Sequence, residues 1–160
     1  MTWLSTLWSN GTPTVEAAQL RDAPRLAQLH GASFHRGWGE GEFESMLRER
    51  NTLVHRLQLG RKTVGFAVSR LGADEAEILS IAVDAAYRGR GWSRDLLLTH
   101  LGHLAGRGVR RIFLEVEENN HPARRLYERT GFSTVGRRES YYRQSGGEQL
   151  NALLMRRDLF

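Results

Sequence analysis

The chain contains no cysteine. That absence excludes disulfides, thiolate metal sites and any acyl intermediate carried on a protein sulfur. Also missing is an apolar run of the ~20 residues that a membrane-spanning helix needs, so no membrane span is expected. The N-terminus lacks the basic-then-apolar order of a secretory signal, which makes the cytoplasm the expected location. Repeats, linkers and low-complexity tracts are absent as well. The 160 residues therefore read as a single domain over 1–160, long enough to build a core without staples. What remains is ordinary for a globular protein, with 40% hydrophobic and 26% charged residues. The net charge of +5 suits an anionic ligand, but the arginines are spread along the chain and form no dense tail. No specific nucleic-acid partner is expected from them.

One stretch organises the rest. Ile78-Leu-Ser-Ile-Ala-Val-Asp84 is an apolar run carrying Ile78, Ile81 and Val83, and it reads as a buried strand. Asp95-Leu-Leu-Leu98 lies in the opening of an apolar-periodic helix. Between them runs Arg88-Gly-Arg-Gly-Trp-Ser-Arg94. A turn at a helix start offers free backbone N–H groups and the positive end of the helix dipole to an anion. Gly89 and Gly91 leave the backbone open to close approach by a diphosphate, and Arg88 and Arg90 add charge. A tight strand-to-helix turn with solvated arginines gives the same local pattern, so the loop alone does not decide between the two.

In chain order, Trp3, Leu4, Leu7 and Trp8 share one face of a short helix in a Trp-rich extension over 1–11. Residues 13–18 form a first strand. Asp22 stands as an N-cap, with Pro24 in the first turn and Leu26, Leu29 and Phe34 at helical spacing. The glycines of 37–41 end that helix, and 42–50 is a second. Residues 52–59 and 63–70 flank Gly60-Arg61-Lys62 as a hairpin, and 72–74 turn the chain into the central strand at 75–84. After the loop, Leu97, Leu101, Leu104 and Ala105 make the core stripe of a helix ending near Gly106 or Gly108. Residues 109–116 are a strand with a continuous apolar end, as when both faces are covered. A helix starting at 119–122 carries Ala123, Leu126 and Tyr127 on one face, and Thr130-Gly131 closes it with a left-handed cap. Two strands, 133–142 and 152–159, complete the order β-α-α-β-β-β-α-β-α-β-β, an α/β chain with a mixed sheet. His100 and His103 lie three apart on their helix without a carboxylate or third ligand, so they are assigned to its polar surface and no metal is expected.

Taken together, these residues resemble the GNAT superfamily of N-acetyltransferases over essentially the full length. The superfamily's pattern Arg/Gln-x-x-Gly-x-Gly/Ala stands here as Arg88-Gly-Arg-Gly91-Trp-Ser93, with Ser93 in place of the final small residue. A serine takes helical φ without strain at that position. Within the superfamily, Leu114-Glu-Val116, Asn120, Ala123-Arg-Arg-Leu-Tyr127-Glu-Arg-Thr-Gly-Phe132, Arg137-Arg-Glu-Ser-Tyr-Tyr142 and Trp38-Gly-Glu40-Gly-Glu-Phe43 resemble the ribosomal-protein-alanine N-acetyltransferases.

The resemblance implies a six- to seven-stranded mixed sheet, splayed between the strands at 76–84 and 109–116 and flanked by about four helices. It implies acetyl-CoA as co-substrate. Ile81, Ala82 and Val83 would pair with the pantetheine arm, Arg88, Gly89, Arg90, Gly91, Trp92, Ser93 and Arg94 would hold the diphosphate, and Asn120 would contact CoA. Without a cysteine, the amine attacks the thioester directly, with catalysis resting on positioning. Glu115 takes the place of the general base and Tyr127, twelve positions on, that of the acid that protonates the departing thiolate. Read singly, Glu115 is a solvated edge residue and Tyr127 a core aromatic; their joint spacing and neighbours carry the resemblance.

Amine chemistry tilts the acceptor toward an N-terminus. An α-amine is roughly 10% neutral at pH 7, whereas lysine is neutral at about 0.04%. The implied acceptor is the N-terminal alanine of a small-subunit ribosomal protein, entering between 34–43 and 137–150. Trp38, Tyr141 and Tyr142 would wall that groove, with Glu40 or Glu42 facing a basic peptide. The run Gly146-Gly-Glu-Gln-Leu-Asn-Ala152 replaces the Gly-Glu-Asp-Ala of the resembled group. A small amine or a lysine side chain remains an alternative acceptor, and a CoA-binding regulatory module without turnover is the alternative from another class.

Overall fold

The computed structural model describes residues 11–143 and 149–160, the side chains of 140–143 and 149 excepted. The Trp3/Trp8 face and the tip at 144–148 lie outside the described residues. Alternating and continuous apolar runs become β1 (Thr14–Ala17), β2 (Thr52–Leu59), β3 (Lys62–Gly72), β4 (Glu75–Val83), β5 (Arg111–Glu117), β6 (Ser133–Arg143) and β7 (Gln149–Asp158). The 3.6-residue periodicities become α1 (Ala23–Ser33), α2 (Glu40–Arg48), α3 (Trp92–Gly106) and α4 (His121–Arg129). The expected order of elements holds throughout the described residues.

The strands form one sheet in the order β1-β2-β3-β4-β5-β7-β6. Short turns make β2, β3 and β4 an antiparallel meander, while the long crossover through α3 sets β5 parallel to β4. β7 then inserts between β5 and β6, antiparallel to both. The β4–β5 ladder is short. It runs from Glu75↔Arg111 to Ile78↔Leu114 and stops, although β4 continues to Val83 and β5 to Glu117. On the other edge of β4 the pairing passes from Ser69↔Ile78 to Val68↔Ser80, which leaves Leu79 as an extra residue. Such a bulge bends a strand and increases its twist, and it sits where β4 leaves β5.

Helices cover both faces. α3 and α4 bring Leu97, Leu101, Leu104 and Tyr127 onto Ile112, Leu114 and Val116. α1 and α2 bring Leu26, Leu29, Phe43 and Met46 onto Val54, Phe66 and Val68 of the opposite face. Covered on both sides, β3 is buried continuously from Thr63 to Ser69. Gly65 on that strand faces β4 closely: a Cβ there would lie 2.9 Å from the Ala82 carbonyl oxygen and 3.3 Å from Val83 Cγ2. Gly65→Ala is therefore expected to lower stability by about 1–3 kcal/mol in urea unfolding. An unchanged midpoint would mean that β3 and β4 separate there at little cost.

Two local expectations need correction. Asp22 does not cap α1 with its side chain, because its own backbone is already helical (φ −79°, ψ −13°). Its carboxylate instead accepts from Gln19 N–H at 2.7 Å and from Arg56 Nη1 at 2.9 Å, tying the start of α1 to β2. His100 is not on the surface of α3 but fully buried beneath it. Its Nδ1 lies 2.7 Å from Nδ1 of His55 on β2, and its Nε2 lies 2.7 Å from Ser69 Oγ on β3. The His103 ring stands 4.6 Å from that of His55. α3 is leucine-rich over Leu96, Leu97, Leu101 and Leu104, so its buried stripe is wide enough to take in His100.

Candidate active site

The stretch between β4 and α3 is shaped by its own side chains. Asp84 Oδ1 accepts the Ala86 N–H at 3.0 Å and closes a single turn over Ala85–Tyr87. Its other oxygen takes Arg25 Nη2 at 3.1 Å. The Ala86 N–H first, and Arg25 second, hold this carboxyl below the usual range. Arg88 folds back on the loop: Nε donates to Val83 O at 3.1 Å and Nη2 to Ser33 Oγ at 3.4 Å. Its guanidinium therefore braces the loop against the end of α1. Arg90 lies over the rings of Tyr87 and Trp92, 5.4 and 5.3 Å from their centroids. Trp92 is a core residue, packed with Leu96 and Val83, so what it offers a ligand is its backbone N–H.

Gly89 (φ +79°) and Gly91 (φ +80°) both take the left-handed conformation that side-chain-bearing residues avoid. No atom stands within 4 Å of where a Cβ would be at either, so the loop is open on that side. The first bond into the helix is Asp95 N–H to Gly91 O. The N–H groups of Gly89, Arg90, Gly91, Trp92, Ser93 and Arg94 donate to no described residue. Six donors at a helix N-terminus, with two open glycines, fit a diphosphate.

The splay supplies a second row of donors. Asp84 N–H bonds to Val64 O, so Asp84 faces β3. Successive residues alternate their N–H and C=O between the two edges of a strand, which turns Val83 and Ile81 toward the side that β5 has left. An extended ligand arm can pair there as an added strand. Ala82, between them, packs on the α1/α2 face. Ser80, not singled out by the sequence, is buried at the same place, and its hydroxyl has no hydrogen-bond partner among the described residues.

Glu115 and Tyr127 belong to opposite faces of the sheet. Ile112, Leu114 and Val116 pack under α3 and α4, so alternation directs Glu115 to the α1/α2 face. There Glu115 Oε1 lies 3.0 Å from Nη2 of Arg138 on β6. Tyr127 belongs to the other face. Its ring lies edge-on to Phe132 at 5.8 Å, and burial pushes its phenol up to about 12. Phe132 N–H bonds back to Tyr127 O, and Gly131 (φ +95°) provides the left-handed step, which completes a Schellman cap and fixes the Tyr127 turn. In a fully paired sheet the two side chains would be separated by backbone. Here the ladder ends at Ile78↔Leu114, one residue before Glu115.

Of the other expected residues, Asn120 caps α4, its Oδ1 accepting Ala123 N–H at 3.3 Å, which leaves its amide N–H groups for a ligand. Trp38 packs against the same core cluster as Leu79 and Ala82 of β4. Glu40 and Glu42 are exposed in the first turn of α2. Tyr141 and Tyr142 lie on β6, with side chains outside the described set. Arg138 and His30 were not anticipated. His30 continues the Leu26 stripe at i+4, a signal that could have placed it in the core.

Residues 23–132 match the family described as the acetyltransferase (GNAT) family. The N-alpha-acetyltransferase RimI of Mycobacterium tuberculosis is 38% identical over 151 residues, which cover 91% of this chain and 92% of that one. The crystal structure of the ribosomal-protein-S18-alanine N-acetyltransferase from Escherichia coli superposes with a TM-score of 0.85 at 30% identity, over 92% of this chain and 94% of its own. NAA60 of Arabidopsis thaliana, solved with acetyl-CoA, shares the fold at a TM-score of 0.80 and 22% identity, over 92% of this chain and 99% of that one.

Proposed function

Because this chain belongs to the acetyltransferase (GNAT) family and is an acetyl-CoA-dependent N-acetyltransferase, we propose that its acceptor is the N-terminal alanine of a ribosomal protein. The observation that carries the site assignment is the early end of the β4–β5 ladder, with one carboxylate beyond it on one face and one phenol on the other. The ribosomal acceptor is supported by the names of relatives at 28–32% identity. Among the described residues no helix is long and apolar enough to cross a membrane. We take the cytoplasm, where ribosomal proteins are made, as the place of action.

Acetyl-CoA supplies an acetyl group activated as a thioester. The N–H groups of residues 89–94 hold its diphosphate, and Ile81 and Val83 align the pantetheine arm along the open edge of β4. Glu115 receives a proton from the incoming ammonium, directly or through one water, and Arg138 keeps that carboxylate in place. Tyr127 is protonated throughout the neutral range, since burial has raised its phenol to about 12. It is therefore a donor to the leaving sulfur and not a base. The same desolvation raises the affinity of a thiolate beside it for a proton, which narrows the gap between the two acids.

The discriminating assay compares an Ala-initiated basic peptide with a panel of polyamines, amino acids and lysine-containing peptides whose N-termini are blocked. Thiol release from acetyl-CoA with the free-N-terminus peptide, exceeding every other acceptor in kcat/KM, is the expected result. Turnover of small amines alone would remove the ribosomal acceptor.

A further inference from the structure

Residues 34–39 join α1 to α2 on the face to which Glu115 is directed. The segment begins just after Ser33, which is tied to the diphosphate loop through Arg88, and it carries Trp38 to the cluster shared with Leu79 and Ala82. It therefore stands beside the part of β4 that leaves β5. Two side chains hold Trp38 in that place: Phe43, edge-on at 5.6 Å, and His30, which alone also bonds its backbone. The Trp38 backbone N–H donates to His30 Nδ1 at 3.0 Å. The His30 ring is stacked at 4.4 Å on Phe34 and at 4.4 Å on Trp38, with Phe43 at 5.9 Å and Phe66 at 6.0 Å around it. It is 3% exposed.

An imidazole that accepts at Nδ1 carries its hydrogen on Nε2 and is neutral. Protonation would turn Nδ1 into a donor facing another donor. Burial keeps the neutral form, lowering the imidazole to about 4 against the opposing pull of Glu42. The arrangement uses one hydrogen bond and one ring stack to fix a single tryptophan on the α1/α2 face, with a second stack on Phe34 steadying the imidazole. Core packing alone would need none of this polar complementarity, since a phenylalanine would fill the volume.

We propose that His30 is a positioning residue for the acceptor: by fixing Trp38, it sets the wall past which the acceptor amine reaches the thioester. The inference rests on the reading above, in which the acceptor enters on the Glu115 face. It places His30 in control of acceptor affinity and leaves the cofactor loop untouched, because none of its ring or hydrogen-bond contacts involves residues 84–94.

Two substitutions separate the hydrogen bond from the packing. His30→Phe keeps an aromatic ring and removes the acceptor; His30→Asn keeps an acceptor oxygen near the Nδ1 position and removes the ring. Initial rates of the full-length enzyme are measured with the Ala-initiated basic peptide and acetyl-CoA. In His30→Phe the peptide KM is expected to rise about 10-fold, as for loss of one buried hydrogen bond. Its kcat and acetyl-CoA KM should stay within about twofold. His30→Asn should recover the peptide KM to within about threefold of wild type. An unchanged peptide KM in a folded His30→Phe enzyme overturns the inference, and so does an equal rise in the acetyl-CoA KM. Should His30→Phe not fold, Trp38→Ala takes its place: a raised peptide KM supports the role, and an unchanged one removes it. The acceptor reading is judged separately, on whether wild-type enzyme uses the peptide at all. If wild-type enzyme used only small amines, that reading would fall, and the same KM comparison with the best amine would decide the role of His30.

Discussion

Replacing Tyr127 with phenylalanine lowers kcat by about 10²-fold or more and leaves the Kd for acetyl-CoA within about twofold. The substitution removes one oxygen and nothing else. The ring keeps its edge-on contact with Phe132, and the backbone turn held by Phe132 N–H and Gly131 is unaltered. With no described residue bonded to the phenol, the folded chain loses no hydrogen bond, and thermal stability should be maintained or slightly raised. Glu115→Gln is the companion change, similar in shape and unable to accept a proton from an ammonium. Its kcat should fall by a similar factor, most steeply at low pH, where the unprotonated amine is scarcest. Turnover near wild type in both variants would take these two groups out of the chemistry.

Acidification below pH 6.5 is expected to loosen the fold through three buried imidazoles. Burial first, and the neighbouring imidazole charges second, lower His55 from 6.5 to about 4 and His100 to about 3. Burial likewise takes His30 to about 4. The sign follows from where the proton goes. The unfolded chain binds protons at these rings from pH 6.5 downward while the folded chain does not, so the stability is fully present above that pH and is lost as the pH falls toward the folded values. At 1.36 kcal/mol per unit, each imidazole contributes about 2 kcal/mol of loss by pH 5. His55 and His100 share one Nδ1–Nδ1 hydrogen bond, which requires one ring to accept, so their losses are not independent. A total of about 3–5 kcal/mol between pH 7 and pH 5 is expected from urea midpoints, a large share of a small domain's stability. A flat profile across that interval would mean that these rings are already protonated in the folded chain or reach water.

The contrast between what periodicity reached and what it did not is physical. Strand and helix order, the Gly89/Gly91 turn and the Gly131 cap depend on residues close in sequence, and each was readable there. The roles given to Glu115 and Tyr127 rest on the resemblance instead, since periodicity alone reads the first as an edge residue and the second as a core aromatic. Arg88 braces the loop on Ser33, 55 positions away, a contact that its place in the Gly-rich turn does not encode. Asp22 met Arg56 across the start of the sheet, 34 positions away, and gave up its cap. His100 was judged by its helix alone, while its environment is made by β2 and β3 beneath it. In each case the partner comes from tertiary pairing, which local pattern does not encode.

The single extra residue at Leu79 has a broader meaning for how the molecule is put together. β1–β4 and β5–β7 are two half-sheets joined by only four backbone rungs, Glu75↔Arg111 through Ile78↔Leu114, and the seam is unzipped from there to its far end. Under the reading proposed above, the acetyl-CoA arm takes the place of the missing rungs and becomes, while bound, the mortar between two slabs that otherwise share only those four rungs and the core beneath α3.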